Sequence, residues 1–237
     1  MKLTYIFHSG FVVEGKDFTL IIDYFRDTDE AFVHRHLSLF GGRVYVLASH
    51  WHPDHFNPEI LTWKRLRPDI RYVFSKDILQ QGKAQLSDAV YLEKGDTWRD
   101  NGVCIRVFGS TDVGVSFLID AEGKRLFHAG DLNNWHWNEE STPQEAEECE
   151  RRFLEEVDCL KQTTGYIDAA MFPVDPRLGK DYMRGAEQFV ERIRVAFFAP
   201  MHFAPTYKAI EAFRPYAERA GCRLAAWKAK GESIEFG

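Results

Sequence analysis

The chain has 237 residues, 45% hydrophobic and 28% charged, with a formal net charge of −6. That length holds one large domain or two small ones and can bury a substantial core. The acidic balance gives no electrostatic reason to expect nucleic acid as a partner, and no window is long and apolar enough to span a bilayer.

Leu3–Phe7, Phe11–Val13 and Thr19–Ile22 read as a meander of three strands, with no signal-peptide pattern after the first. His8 lies in the turn His8-Ser9-Gly10, where glycine permits close backbone approach, and Asp23 ends the third strand. His34 and His36 repeat a His-x-His spacing with no carboxylate nearby in the segment 31–37 and are expected to face solvent. Arg43–Ala48 reads as a buried strand running into Ser49-His50-Trp51-His52-Pro53-Asp54-His55-Phe56. An extended backbone turns His50 and His52 to the same side. Pro53 fixes φ and removes a donor, which suits a sharp exit from the strand. Asp54 and His55, adjacent on that turn, point in different directions from the first pair. The stretch can therefore serve two metal ions, one through His50 and His52, the other through Asp54 and His55. Imidazole with carboxylate suits zinc, and less exclusively iron or manganese. The carboxyl end of a buried strand is also where open α/β sheets place their ligands.

Pro58–Leu66 has helix-like apolar spacing and stops before Pro68. Strands follow at Tyr72–Phe74, Ala89–Leu92 and Val103–Phe108, with a short helix near Asp77–Leu79. Val115–Ile119 and Arg125–His128 flank Asp120-Ala121-Glu122-Gly123 as a hairpin. Asp131, after a strand and a glycine, is either a metal ligand or an N-cap. Ala146, Cys149, Phe153, Val157 and Leu160 make one apolar stripe over Pro143–Thr163, with Thr142 and Glu145 as a capping box. Ile167–Phe172 is a strand leading to Asp175, Tyr182–Ile193 a helix, and Val195–Ala199 a strand ending in Pro200-Met201-His202-Phe203. A closing helix from Thr206 is interrupted at Pro215 and ended by Gly221. The four cysteines have no CxxC or zinc-ribbon spacing, so reduced thiols and a cytoplasmic location are expected.

His50-x-His52-x-Asp54-His55 after an apolar strand resembles the signature of the metallo-β-lactamase-fold hydrolases. The resemblance implies an α/β four-layer αββα sandwich, two mixed sheets face to face with helices outside, with residues 1–237 as a single domain. It implies that Asp131 bridges both metals, that His202 completes the set with Asp54 and His55, and that Asp23 buttresses the metal loop. An early histidine such as His8 occurs in the branch that includes L-ascorbate-6-phosphate lactonase. The pattern departs at Gly109-Ser110-Thr111-Asp112-Val113-Gly114, where Ser110 stands in place of the third histidine of the first metal site. Asp112 is the first candidate replacement, ahead of His8, His136 and Asp175. It would make an oxygen-richer site that favours manganese or iron. Alternatively Thr111 and Asp112 only close the turn, and one metal is held weakly. Asn133-Asn134-Trp135-His136-Trp137, following Asp131, either forms an apolar wall over the metals with polar groups from His136 and the asparagines, or packs beneath a helix start.

The expected function is hydrolysis of a small ester, lactone, thioester or phosphoester by a metal-bound hydroxide, on one or two ions. Asp54 is the expected proton acceptor and donor. The competing reading, a non-catalytic metal-binding sensor or scaffold, rests on the missing histidine. An RNA-processing nuclease on the same fold would need a Lys/Arg-rich arm, and an iron-dependent flavin-linked oxidoreductase a glutamate in the first motif, where residue 52 is histidine.

Overall fold

The computed structural model describes residues 1–203 and 206–236. It divides into two compact units, Met1–Glu93 with Trp227–Gly237, and Lys94–Ala226. The first unit contains β1 (Lys2–Phe7), β2 (Gly10–Glu14), β3 (Phe18–Ile22), β4 (Arg43–Ala48), β5 (Arg71–Ser75) and β6 (Val90–Leu92). β1 to β3 are an antiparallel meander, whereas β3 to β6 pair in parallel. The switch follows from the connections. Tight turns suffice for antiparallel neighbours, while parallel ones need a crossover, supplied here by α1 (Phe32–Leu39), a 3-10 helix (Pro58–Arg65) and α2 (Lys76–Gln80). One sheet face, carrying Ile6, Val12, Ile21, Val44, Val46 and Phe74, packs with Val33, Leu37, Ile60, Trp63 and Ile78 of these helices. The intervening residues Tyr5, Phe11, Val13, Leu20, Tyr45 and Leu47 are buried as well, so these strands read as continuous apolar runs rather than alternating ones.

α1 corrects the expectation for His34 and His36. Val33 and Leu37 are both fully buried, an i,i+4 pair that seats the helix. The Asp27 carboxylate, distant by a turn of chain, accepts the backbone N–H groups of Val33 (2.9 Å) and His34 (3.1 Å). The His34 ring is clamped between Asp27 Oδ2 and Glu59 Oε1, each at 2.7 Å. Burial disfavours its charge, but the hydrogen bonds and charges of the two carboxylates outweigh that and raise its pKa above 6.5. A raised folded-state pKa contributes stability that is complete below the unfolded pKa and lost as pH rises through the folded value. The urea midpoint is therefore expected to fall as pH rises from about 6 to about 8, and His34→Gln to flatten that fall. An unaltered profile in the variant would remove the clamp from the account.

The second unit contains β7 (Thr97–Asp100), β8 (Val103–Phe108), β9 (Ser116–Ala121), β10 (Lys124–His128), β11 (Tyr166–Pro173), β12 (Arg194–Met201) and β13 (Arg223–Leu224). It repeats the plan of the first, with β7 to β10 antiparallel and β10 to β13 parallel. α3 (Pro143–Thr163) forms where its stripe and capping box place it, burying Phe153, Val157 and Leu160. α4 (Arg184–Arg192) brings Phe189 onto Phe172 (4.5 Å between ring centroids) and Phe127 (5.5 Å). A Cβ on Gly185 of α4 would lie 2.0 Å from Asn133 Oδ1, so only glycine lets this helix close on the segment after Asp131. The closing helix is two short ones, α5 (Lys208–Glu211) and α6 (Arg214–Arg219), with Pro215 in the first turn of the second. β14 (Ser233–Glu235) pairs with β1 and completes the first unit's sheet. The short strands β7, β13 and β14 carry no apolar run, β7 being Thr97-Trp98-Arg99-Asp100 and β14 Ser233-Ile234-Glu235. No helix among the described residues is long and apolar enough to cross a membrane.

Candidate metal centre

In each unit the candidate ligands gather at the carboxyl ends of strands on either side of the point where pairing switches from antiparallel to parallel, and the carboxyl ends are where open α/β sheets bind ligands. In the first unit this point lies between β3 and β4. Asp23, just past β3, is fully buried and has φ 48°, a left-handed conformation that aspartate tolerates better than most residues. Its carboxylate accepts the Ser49 N–H (2.7 Å), the Ser49 hydroxyl (2.6 Å) and His55 Nδ1–H (2.7 Å). With its proton given to Asp23, Ser49 Oγ accepts from His50 Nδ1–H at 3.0 Å. One buried carboxylate thus sets the tautomer of both histidines and leaves Nε2 of each as the candidate coordinating atom, the arrangement by which outer carboxylates orient metal-binding imidazoles. His52 O accepts the N–H groups of His55 (3.0 Å) and Phe56 (2.9 Å), so the loop doubles back after Pro53.

His8 stands at φ 56° in its turn, and a Cβ on Gly10 would come within 3.1 Å of the Phe7 and Asp23 carbonyl oxygens. Its Nε2 lies 3.2 Å from Asp54 Oδ2. Burial pushes the Asp54 carboxyl up, but the His8 hydrogen bond and the nearby His55 and His8 charges win and hold it well below the usual carboxylate range. Ligand atoms of His8, Asp54 and His55 all lie within 4.8 Å of one another, as do those of His50 and His52.

In the second unit the switch point lies between β10 and β11. Gly130, at φ 54°, turns the chain after β10 and sets Asp131, which is 6% exposed, at the strand end. His202 follows β12 with φ 64°, and its Nε2 is 3.4 Å from Asp131 Oδ1. Its Nδ1–H donates to Asp175 Oδ2 at 2.8 Å. Asp175 is buried and also takes a bidentate bond from Arg177. Burial would raise its pKa, but the His202 and Arg177 hydrogen bonds bring it down to about 2. Asp175 thus occupies towards His202 the position that Asp23 occupies towards His55.

The turn that lacks the histidine is tied inside the same unit. Thr111 Oγ1 donates to the Asn133 carbonyl oxygen (2.6 Å) and accepts the Asn133 N–H (3.0 Å), while Ser110 Oγ accepts the Asp112 N–H at 3.3 Å. These bonds close the turn through Ser110 and Thr111. The Asp112 and Asp131 carboxylates offer oxygens within 4.8 Å of one another. His136 is buried, its Nε2–H donating to the Asp181 carbonyl oxygen (3.2 Å) and its Nδ1 accepting the Asn138 N–H (3.1 Å). Trp135 donates its indole N–H to the Asp131 carbonyl oxygen (2.8 Å) and meets the His202 ring edge-on at 5.4 Å. Arg177, which the sequence did not single out, lines a cavity of about 360 Å³ together with Asp112, Asp131, Trp135, Trp137 and His202. No local signal marks it, because its place depends on Asp175 meeting His202 across 27 positions.

Solved structures with this fold include Igni18, a metallo hydrolase from the hyperthermophilic archaeon Ignicoccus hospitalis KIN4/I. It superposes with a TM-score of 0.68 at 18% identity, over 100% of this chain and 99% of that one. A putative metal-dependent hydrolase from Parabacteroides distasonis ATCC 8503 gives 0.64 at 16% identity, over 94% and 90% of the two chains. The fold is the α/β sandwich of the metallo-β-lactamase class, with two mixed sheets of seven strands. The family described as the beta-lactamase superfamily domain matches residues 2–147, and the chain belongs to it. The UPF0173 metal-dependent hydrolase of Alkaliphilus metalliredigens (strain QYMF) is 27% identical over 144 residues, which make up 55% of this chain and 63% of that relative's length.

Proposed function

We propose that the protein is a metal-dependent hydrolase of a small ester, lactone, thioester or phosphoester. The observation that carries this reading is the pair of buried histidine–carboxylate clamps, His55–Asp23 and His202–Asp175, each fixing Nδ1 and presenting Nε2. The donor set of imidazole and carboxylate fits zinc, and iron or manganese where carboxylates predominate. In the first unit His50 and His52 would hold one ion, and Asp54 and His55 another; in the second, Asp131, His202 and Asp112, which stands beside the position of the absent histidine, are the candidate ligands. When bound, such ions supply Lewis acidity and lower the pKa of water to about 7. Asp54 would accept and return the proton, with His8 Nε2 standing 3.2 Å from its Oδ2. Free, scattered cysteines support a cytoplasmic setting.

The test is elemental analysis of the purified protein together with turnover on a panel of small esters, lactones, thioesters and phosphodiesters. One to two equivalents of divalent metal with metal-dependent turnover is expected, and metal-free protein without turnover would end the proposal. For Asp112, metal titration of the apo-protein should give two sites of similar affinity, reduced to one in Asp112→Ala. Unchanged stoichiometry in that variant would leave Asp112 without a ligand role.

A further inference from the structure

The cavity in the second unit has a feature that metal binding does not require. Two half-buried tryptophans, Trp135 and Trp137, stand in it with ring centroids 6.3 Å apart and planes at 15°. Core packing does not account for them. Trp137 lines this cavity and also one of about 380 Å³ with Glu140, Ser141 and Glu145, and its side chain is only half-buried. Its backbone sits at φ 41°, a left-handed conformation that is rare and strained for a bulky side chain. The conformation is held because the Trp137 carbonyl oxygen accepts the N–H groups of both Glu140 and Ser141 at 2.8 Å. Trp135 spends its only polar group on the Asp131 carbonyl oxygen, which leaves it the apolar ring as a contact surface. At about 360 Å³ the cavity falls in the range of small-molecule sites, roughly 300–1,000 Å³.

We infer that this cavity binds a flat aromatic group of the substrate against the Trp135–Trp137 pair, with Trp137 as the residue that selects it. The inference depends on the hydrolase reading only in calling the ligand a substrate. Stacking on a fixed indole rewards a planar π-system beyond its apolar area, because the ring quadrupoles favour offset-stacked or edge-on contact. A saturated ring of the same size gains the area alone.

The experiment is calorimetric titration of metal-replete protein with naphthalene-2-carboxamide and with its fully saturated decalin counterpart. Both probes are neutral and carry the same carboxamide, so any pull of its oxygen towards a cation is common to the two. The naphthyl compound is expected to bind roughly 2- to 10-fold more tightly, the worth of one aromatic pair. Trp137→Leu should equalise the two, and Trp137→Phe should retain part of the preference. Equal affinities in the unmodified protein, binding of neither probe, or a preference that survives Trp137→Leu would each overturn the inference. Should Trp137→Leu not fold, saturation transfer from the naphthyl protons to the Trp137 indole N–H decides, and its absence would overturn the inference too. Elemental analysis of the same samples separates the two proposals. Aromatic preference without metal leaves this site and removes the hydrolase, while metal and turnover without preference do the reverse.

Discussion

His202→Ala is expected to leave the protein folded, about one metal equivalent short, and slower in metal-dependent turnover by about three orders of magnitude. The size follows from the several kcal/mol of charge stabilisation that a metal ion supplies, each 1.36 kcal/mol being tenfold in rate. His202 closes no secondary structure; it stands after β12, held through Nδ1 by Asp175. Asp175→Asn should act more mildly on the same property. It keeps the shape but removes the charge that orients and strengthens the imidazole, so metal affinity should fall about 10- to 100-fold while saturating metal restores stoichiometry. Elemental analysis and metal titration check both variants. Full retention of metal in His202→Ala would remove His202 from the ligand set, whatever happened to activity.

Asp23→Ala should cost about 3–5 kcal/mol of unfolding free energy, read as a lower urea midpoint at unchanged m value. The Asp23 carboxylate is fully buried and receives three hydrogen bonds, from Ser49 N–H, Ser49 Oγ–H and His55 Nδ1–H. Removing it leaves those donors buried without an acceptor, and each such loss costs about 1–3 kcal/mol. Alanine also tolerates φ 48° less well than aspartate. Asp23→Asn separates packing from charge. It should recover most of the stability but remain metal-poor, because the amide disturbs the Nδ1–H assignment of His55. A loss below about 1 kcal/mol in Asp23→Ala would mean that the loop after β4 is held by other contacts.

The first-motif histidines and their aspartate were legible because their spacing is local. Two residues apart on an extended chain, then a proline, dictates which side chains share a side. α3 was legible for the same reason, its stripe and capping box lying within one continuous segment. The central strands were legible as apolar runs, while the fold class came from the resemblance carried by the first motif. His34 and His36 were misread because the carboxylates that engage His34, Asp27 and Glu59, are 7 and 25 residues away in sequence. β7, β13 and β14 are short and polar, with no apolar run to mark them.

What the sequence determined by itself is thus the opening meander, the apolar strands and the long amphipathic helix, with candidate ligands at the strand ends. Periodicity and ligand spacing are properties of neighbouring residues. The tertiary structure decided how those ligands are held. Asp23 reaches the 49–55 loop across 26 to 32 positions, Asp175 reaches His202 across 27, and Thr111 ties its turn to Asn133 across 22. A hydrogen bond between distant positions leaves no period in the chain. It exists only once β3 lies beside β4, and β11 beside β12, bringing their carboxyl ends together.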